Sequence, residues 1–324
     1  MPRLSVVTAC FNGAAFLERT VRSVQNQSFT DWELIIVDDG SSDESYSVAD
    51  VCAKRDSRVR VIQQSNQFLS RARNNGFAHS APDSEYLLFL DADDLLEPHT
   101  FATMVAYLEK HERVGAAYHL FRTIDAADVP LTLPTDVPPG MLRFEPRFFG
   151  FLGRRSILPS RAETPFCALA SYHQAIPSCT FFRRAVFERA GLWDTAFSDA
   201  RVAYEDKDLI LRIALLSQVH LVNEVLTLYR RHTSNVSSEA ACVAGHRFLR
   251  RHWQSKQLPL LAQKRIVRNA FIFDSYLAAV FTLEHAGRLL LAGRVFLAMR
   301  EFAHGMKKFM RVFTFMAVRL MRSA

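Results

Sequence analysis

Residues 85–94 read EYLLFLDADD and concentrate groups able to do chemistry. An apolar run of strand length, Tyr86 to Leu90, stops at three carboxylates, Asp91, Asp93 and Asp94. Carboxylates this close repel one another unless a cation lies among them, and an oxygen-rich set suits a hard divalent ion such as Mg2+ or Mn2+. Taken alone, the pattern fits equally a polar turn in which Asp94 caps a helix over Pro98 to Lys110. Two other acidic sets accompany it. Asp38 and Asp39 end the apolar run WELIIV and open a stretch of turn formers reaching Asp43. Glu205, Asp206 and Asp208 open the amphipathic run YEDKDLILRIALL. The helix dipole favours acids in a first turn, so each could be a cap, but three exceed what capping needs. Asp208 is expected to support the helix or a neighbouring arginine.

Positioning these acids requires a scaffold, and the hydrophobic pattern describes one. Leu4 to Cys10 is a short β-branched strand broken by Asn12-Gly13, and Ala14 to Gln27 has helical spacing. Trp32 to Val37 is a second strand, Ser45 to Arg55 a helix, Arg58 to Gln63 a third strand and Ser70 to His79 a helix before the strand at 85–90. Strand and helix alternating in this way predict a doubly wound, Rossmann-like, mostly parallel sheet flanked by helices. Such sheets bind ligands outside the carboxyl ends of their strands, where Asp38, Asp39, Asp91 and Asp93 all fall. Neither a GxGxxG fingerprint nor a P-loop follows the first strand. A nucleotide held here would have its phosphates neutralised by a metal and by basic side chains, for which Arg71 and Arg73 are candidates against a solvated helix face.

Further on, Val114 to Thr123 reads as a strand. Residues 125–177 lack periodicity and are rich in Pro, Gly and aromatics, with Arg154-Arg155 inside, as in a substrate-facing insert. Ser178 to Phe182 reads as a strand, Ala185 to Ala190 as a helix closed by Gly191, and Val219 to Tyr229 as a strand leading into Arg230-Arg231-His232. His232 is a candidate ligand, although a lone histidine is as readily a core or surface residue.

The 324 residues, 49% hydrophobic and 23% charged, have the make-up of a globular protein of one large domain or two. Five cysteines without paired spacing read as reduced, mostly buried thiols in a cytosolic setting. The chain opens on a strand pattern rather than a signal peptide, and no uncharged apolar stretch reaches the roughly 18 residues that span a bilayer. Residues 241–324 hold 15 Lys and Arg against 3 Asp and Glu, a net of +12, whereas residues 1–240 hold 25 against 30, a net of −5. We expect a domain over 1–240 and a basic helical region over 241–324 that meets something anionic.

Several segments together resemble the inverting glycosyltransferases of family 2, which have the GT-A fold. They are VVTACFN at 6–12, IIVDDGSSD at 35–43, ARNNG at 72–76, FLDADD at 89–94, GLWD at 191–194, EDKDLILR at 205–212 and YRRHTSNVS at 229–237. The resemblance implies a nucleotide-sugar donor, with a UDP-sugar favoured, and roles for named residues. Asp39, with Asp38 the weaker choice, would contact the nucleotide base beside Ala9 and Asn12 on the first strand and its turn. Asp91 and Asp93 would hold the ribose and the metal on the diphosphate, with His232 a third metal candidate. Arg73 would serve the donor. Asp206 would be the general base, with Glu205 its alternate. One departure stands out: Asn66-Gln67-Phe68 has phenylalanine where the family often has glycine.

Chemistry agrees with that division of labour. An inverting transfer needs a base to take the acceptor hydroxyl proton and a cation for charge on the leaving diphosphate. The expected activity is therefore metal-dependent transfer of a sugar to a glycan or lipid-linked glycan acceptor in cell-surface polysaccharide synthesis. The alternatives are a non-catalytic glycan-binding or scaffold protein and, further off, a nucleotidyltransferase, which would need a Gly-rich basic loop where Asn12-Gly13-Ala14-Ala15 stands. No nucleic-acid-binding motif accompanies the basic region, so nucleic acid is not an expected partner. From Met306 to Arg322, the basic residues Lys307, Lys308, Arg311, Arg319 and Arg322 share an arc of about 120° opposite an apolar face. That pattern predicts a helix lying on an anionic membrane surface, and so a cytoplasmic protein peripheral at the inner face of the cell membrane. Packing on the catalytic domain or a dimer partner is the competing expectation.

Overall fold

β1 (Leu4–Cys10) is the axis of the sheet, buried on both faces along nearly its whole length. Side chains on one face, Leu4, Val6 and Cys10, join a large apolar cluster, while Val7 meets the opposite layer. The chain then runs through α1 (Ala14–Gln25), β2 (Trp32–Asp38), α2 (Ser45–Arg55), β3 (Val59–Gln63), α3 (Leu69–Ala78) and β4 (Tyr86–Phe89). β1 lies between β2 and β4, parallel to both, and β3 pairs parallel to β2. Leu17, Val21 and Val24 of α1 bury the helical stripe seen in the sequence against this sheet. On the other face α3 packs so closely that a Cβ on Gly76 would come within 2.4 Å of Val7 Cγ1. A glycine in the ARNNG run therefore lets the helix backbone reach the sheet.

Beyond β4 come β5 (Leu95–Leu96), α4 (Thr100–Lys110), β6 (Val114–Ile124), β7 (Thr180–Arg183), α5 (Arg184–Ala190), α6 (Thr195–Ala200), α7 (Glu205–Ala214) and β8 (Gln218–Arg230). The eight strands are ordered β3-β2-β1-β4-β7-β6-β8-β5. β7 runs against β4 and β6, and β5 runs against β8, so the other strands share one direction. The expected mostly parallel α/β sheet is thus present, with two antiparallel insertions. The long apolar strands and helices match their sequence patterns to within a residue or two. β5 and α6 had no signal, being only 2 and 6 residues long. The strand expected from Ser178 opens as a 3-10 turn, Pro177–Cys179, with Pro177 at its first position, and β7 begins at Thr180.

The computed structural model describes residues 1–131 and 176–232, with positions 245, 248, 249, 251–253 and 299. Apart from Met299, these belong to one compact unit built from Met1–Pro165 and Gln174–Ser255. The expected boundary at 240, Arg154-Arg155, most of the insert and the 306–322 segment lie outside the described residues. Cys10, Cys52 and Cys179 are free and buried, as the cysteine spacing predicted. Among the described residues, no helix is long and apolar enough to cross a membrane.

Candidate active site

Because β2 and β4 flank β1, their acidic carboxyl ends open on the two sides of the β1 terminus. Two turns are stitched together there. Asn12, in the left-handed region at φ 53°, accepts from the Ser42 amide at 2.8 Å and donates its own amide to Ser41 Oγ at 2.9 Å. The Gly13 amide donates to Ser45 Oγ, and the Ala14 amide to Asp43. Asn12, expected at the donor, also shapes the DDGSSD turn, where its side-chain oxygen satisfies the backbone of a tight loop. Asp38 is fully buried and accepts from Gln63. Asp39 projects past the strand end, where Oδ1 accepts from Gln64 Nε2 at 2.6 Å and the Gln67 amide at 2.8 Å. Ala9, half-buried on β1, pairs with Val37 two residues before Asp39.

The 91–94 turn is pinned residue by residue. The Asp91 amide donates to Ser178 Oγ at 3.1 Å, and Thr20 Oγ1 donates to the Ala92 carbonyl at 2.9 Å. Arg230 donates its Nε–H to the Asp93 carbonyl at 2.7 Å and its backbone amide to Asp94 Oδ1 at 2.9 Å. That guanidinium is fully buried, lies 5.0 Å from the Phe16 ring centroid, and pairs with Asp128 and the Asp125 carbonyl. The sequence reading missed Arg230; its place two residues before His232 was the available signal. Asp94, allowed for above as a cap on α4, is buried and serves this turn instead, while His99 occupies the cap position without a side-chain capping bond.

Three acids meet around one cation, Arg73. Arg73 Nη2 donates to Asp91 at 2.7 Å and Nη1 to Glu205 at 3.0 Å, with the guanidinium 4.5 Å from the Trp193 ring centroid. Arg73 was expected to serve donor phosphates. In the structure it is buried and engaged by two carboxylates. Arg71, by contrast, sits on the surface with Asp199. Burial raises the Glu205 carboxyl to about 7, helped by the neighbouring Asp206 charge and opposed by Arg73. Burial likewise raises Asp91, with Arg73 opposing and Asp93 adding to the rise. Asp94 is pushed well up by burial and by the charges of Asp93 and Asp91. Asp206, half-buried on the first turn of α7, is close enough to interact electrostatically with Asp91, Glu205 and Arg73. Asp208 points away and takes Arg212 Nε at 2.8 Å, the supporting role its spacing predicted.

His232 Nε2 lies 2.8 Å from Asp93 Oδ2, and its ring stacks on Phe16 at 4.6 Å. A carboxylate beside an imidazole, with Asp91 across the turn, is a partial donor set for Mg2+ or Mn2+. Such ions take one or two carboxylates and draw further oxygens from substrate phosphates. Among the described residues, Asp194, Asp208 and His252 bring three potential ligand atoms within 4.8 Å of one another, which by composition could hold a metal. Both Asp208 oxygens already accept N–H donors, from Arg212 and Trp253, and Asp194 Oδ1 accepts the Ala196 amide.

The Phe68 departure has a backbone counterpart. Phe68 sits at φ 65° and ψ 166°, a conformation that is essentially reserved for glycine. The strained residue follows Gln67, whose amide binds Asp39, and the Arg201 guanidinium lies 4.9 Å from its ring centroid.

Comparison with known proteins places this geometry. The family model described as Glycosyl transferase family 2 matches residues 5–191. The uncharacterized glycosyltransferase EpsJ of Bacillus subtilis is 26% identical over 258 residues, covering 79% of this chain and 69% of the relative. The GalNAc(5)-diNAcBac-PP-undecaprenol beta-1,3-glucosyltransferase of Campylobacter jejuni is 37% identical over 107 residues, covering 32% of this chain and 34% of the relative. Among solved structures, the mannosyltransferase PcManGT from Pyrobaculum calidifontis, in complex with GDP-Man and Mn2+, aligns with a TM-score of 0.61 at 17% identity. It covers 97% of this chain and 86% of that one. S. aureus TarS 1-349 in complex with UDP aligns with a TM-score of 0.56 at 15% identity, covering 84% and 71%. At such identities these likenesses establish the GT-A fold alone. The family match extends over more than half of the sequence and includes β1, β2, β4 and the acids at their ends, so the chain belongs to glycosyl transferase family 2 and is a glycosyltransferase.

Proposed function

We propose that the protein is a metal-dependent inverting glycosyltransferase that moves a sugar from a nucleotide-sugar, preferably a UDP-sugar, to a glycan or lipid-linked glycan in cell-surface polysaccharide synthesis. The observation that carries this reading is the Arg73 bridge, which brings the Asp91 turn and the first turn of α7 to one place. Asp39 and the end of β1 hold the base and ribose. Asp91, Asp93 and His232 would hold Mn2+ or Mg2+, which supplies positive charge at the leaving diphosphate. Asp206 is the general base: it shares the first turn of α7 with Glu205 and is less buried, whereas the Glu205 carboxylate is engaged by Arg73. With its proton taken by Asp206, the acceptor oxygen attacks the anomeric carbon opposite the diphosphate, and the bond to that diphosphate breaks.

Similar proteins support the substrate classes. Solved structural neighbours are bound to UDP, UDP-GlcNAc and GDP-Man, one of them with Mn2+, and a relative is named for a diphosphoundecaprenol-linked substrate. A lipid-linked acceptor also fits the proposed membrane contact of the 306–322 segment. Sedimentation with anionic vesicles, with and without residues 304–324, tests that contact; equal binding by both proteins counts against it. The activity is tested by a donor screen that scores released nucleoside diphosphate with Mn2+ present and after chelation. We expect release from a UDP-sugar that depends on acceptor and metal. Turnover undiminished in excess chelator would overturn the metal role.

A further inference from the structure

Gly245, Phe248, Leu249, His252 and Trp253 lie beyond the family match and make contacts to which the proposed mechanism assigns no role. Phe248, Leu249, His252 and Trp253 fall at helical spacing on one face, and Leu249 and Trp253 are buried. Phe248 packs edge-on against Phe197 of α6 with ring centroids 5.0 Å apart, and stacks on His252. His252 Nε2 is 2.8 Å from Asp194 Oδ2, whose other oxygen caps α6. Trp253 Nε1–H donates to Asp208 Oδ1 at 2.7 Å. At the other end, Gly245 lies so close to the approach to α7 that a Cβ there would come within 2.4 Å of the Ala203 carbonyl and 2.7 Å of the Tyr204 ring.

Both ends of the first turn of α7 are therefore gripped. Gly245 backs onto Ala203 and Tyr204, and Tyr204 holds φ 84° immediately before Glu205. Trp253 holds Asp208, three residues after Glu205. From Asp208 the hydrogen bonds continue through Arg212 to the carbonyls of Ala190, Gly191 and Leu192, and the next residue, Trp193, lies beneath Arg73. The geometry points to Gly245, Phe248, Leu249, His252 and Trp253 as a clamp that positions the catalytic turn, with Gly245 and Trp253 as positioning residues for Asp206. This inference rests on the reading of Asp206 as base.

Trp253→Phe removes the indole N–H and keeps most of the ring. Gly245→Ala adds one methyl at the close approach, in a residue type that helices otherwise favour. Both variants are made in the full chain beside Asp206→Asn. Each is assayed for kcat, for donor KM, for melting temperature and for hydrogen exchange of amides 205–209. We expect both clamp variants to lower kcat by roughly 10- to 100-fold, since a misplacement of about 1 Å can cost about 10²-fold. Donor KM should stay within about twofold, and amides 205–209 should exchange faster, an effect that needs no substrate. The clamp is overturned if Asp206→Asn is inactive while both variants keep wild-type kcat and exchange, or if they lose only melting temperature. A fully active Asp206→Asn would instead overturn the base assignment, and the exchange result would still decide whether the clamp holds α7.

Discussion

Arg73 and Glu205 stand 132 residues apart in the chain and 3.0 Å apart in space, and this bond ties α3 to the start of α7 directly beside Asp91. One buried guanidinium separates two carboxylates that would otherwise repel. Removing one member of a buried ionic set leaves an uncompensated charge and costs about 3–5 kcal/mol. Arg73→Met is expected to lose stability of that order in urea unfolding. Arg73→Lys should fall between, because a point charge cannot reach both partners in a fork. Wild-type stability in Arg73→Met would show that the bridge is not needed to hold the acids together.

Glu205 predicts a pH dependence of stability. Its carboxyl titrates near 7 in the folded protein against an ordinary 4.5. Between those values the unfolded chain has released the proton that the folded protein keeps, so stability falls as pH rises through this window. Glu205→Gln should reduce that slope, leaving what the raised Asp91 and Asp94 carboxyls contribute. Urea midpoints at pH 5 and pH 7.5 check it, and parallel behaviour of the two proteins would refute the shift.

For the chemistry, Asp206→Asn should lower kcat by about 10²–10⁴ with donor KM little changed. Full activity there, joined to loss in Glu205→Gln, would transfer the role of base. Asp93→Asn should abolish turnover and leave the melting temperature near that of the wild type.

Asp39 makes a separable prediction. Just past the end of β2, its Oδ1 faces Gln64 and Gln67 in the loop that follows β3. Asp39→Ala should raise donor KM more than it lowers kcat. Calorimetric titration with UDP is the check, and an unchanged affinity would remove Asp39 from the nucleotide site.

Phe68 allows a comparison of two substitutions. Phe68→Ala loses the ring and keeps the strained backbone, whereas Phe68→Gly loses the ring and relaxes it. Strain of this kind is worth about 1–3 kcal/mol, so the glycine variant should be the more stable by roughly that amount. Equal stability in thermal unfolding would mean that the backbone there carries no strain.

Much of the scaffold was legible in advance. β1, β2 and β4 are short apolar runs that end in turn formers or acids, and α2 was read with its observed bounds, Ser45–Arg55. The acids at 38–39, 91–94 and 205–208 stood out by their clustering. β5 and α6 did not, since 2 and 6 residues hold too few side chains to show a period.

Amino-acid order alone determined the alternation of strand and helix, the parallel half of the sheet, and the placing of acids at strand ends. All of these follow from side-chain polarity repeating over neighbouring residues. Tertiary structure decided the pairings: Arg73 with Asp91 and Glu205, Arg230 beneath the 91–94 turn, His232 on Asp93, and Trp253 on Asp208. Apart from Arg73 with Asp91, each of these joins residues at least 45 positions apart. Hydrophobic period carries no information about which buried charge meets which, because that choice is settled only when the packed sheet and helices leave one geometry in which each polar group is satisfied.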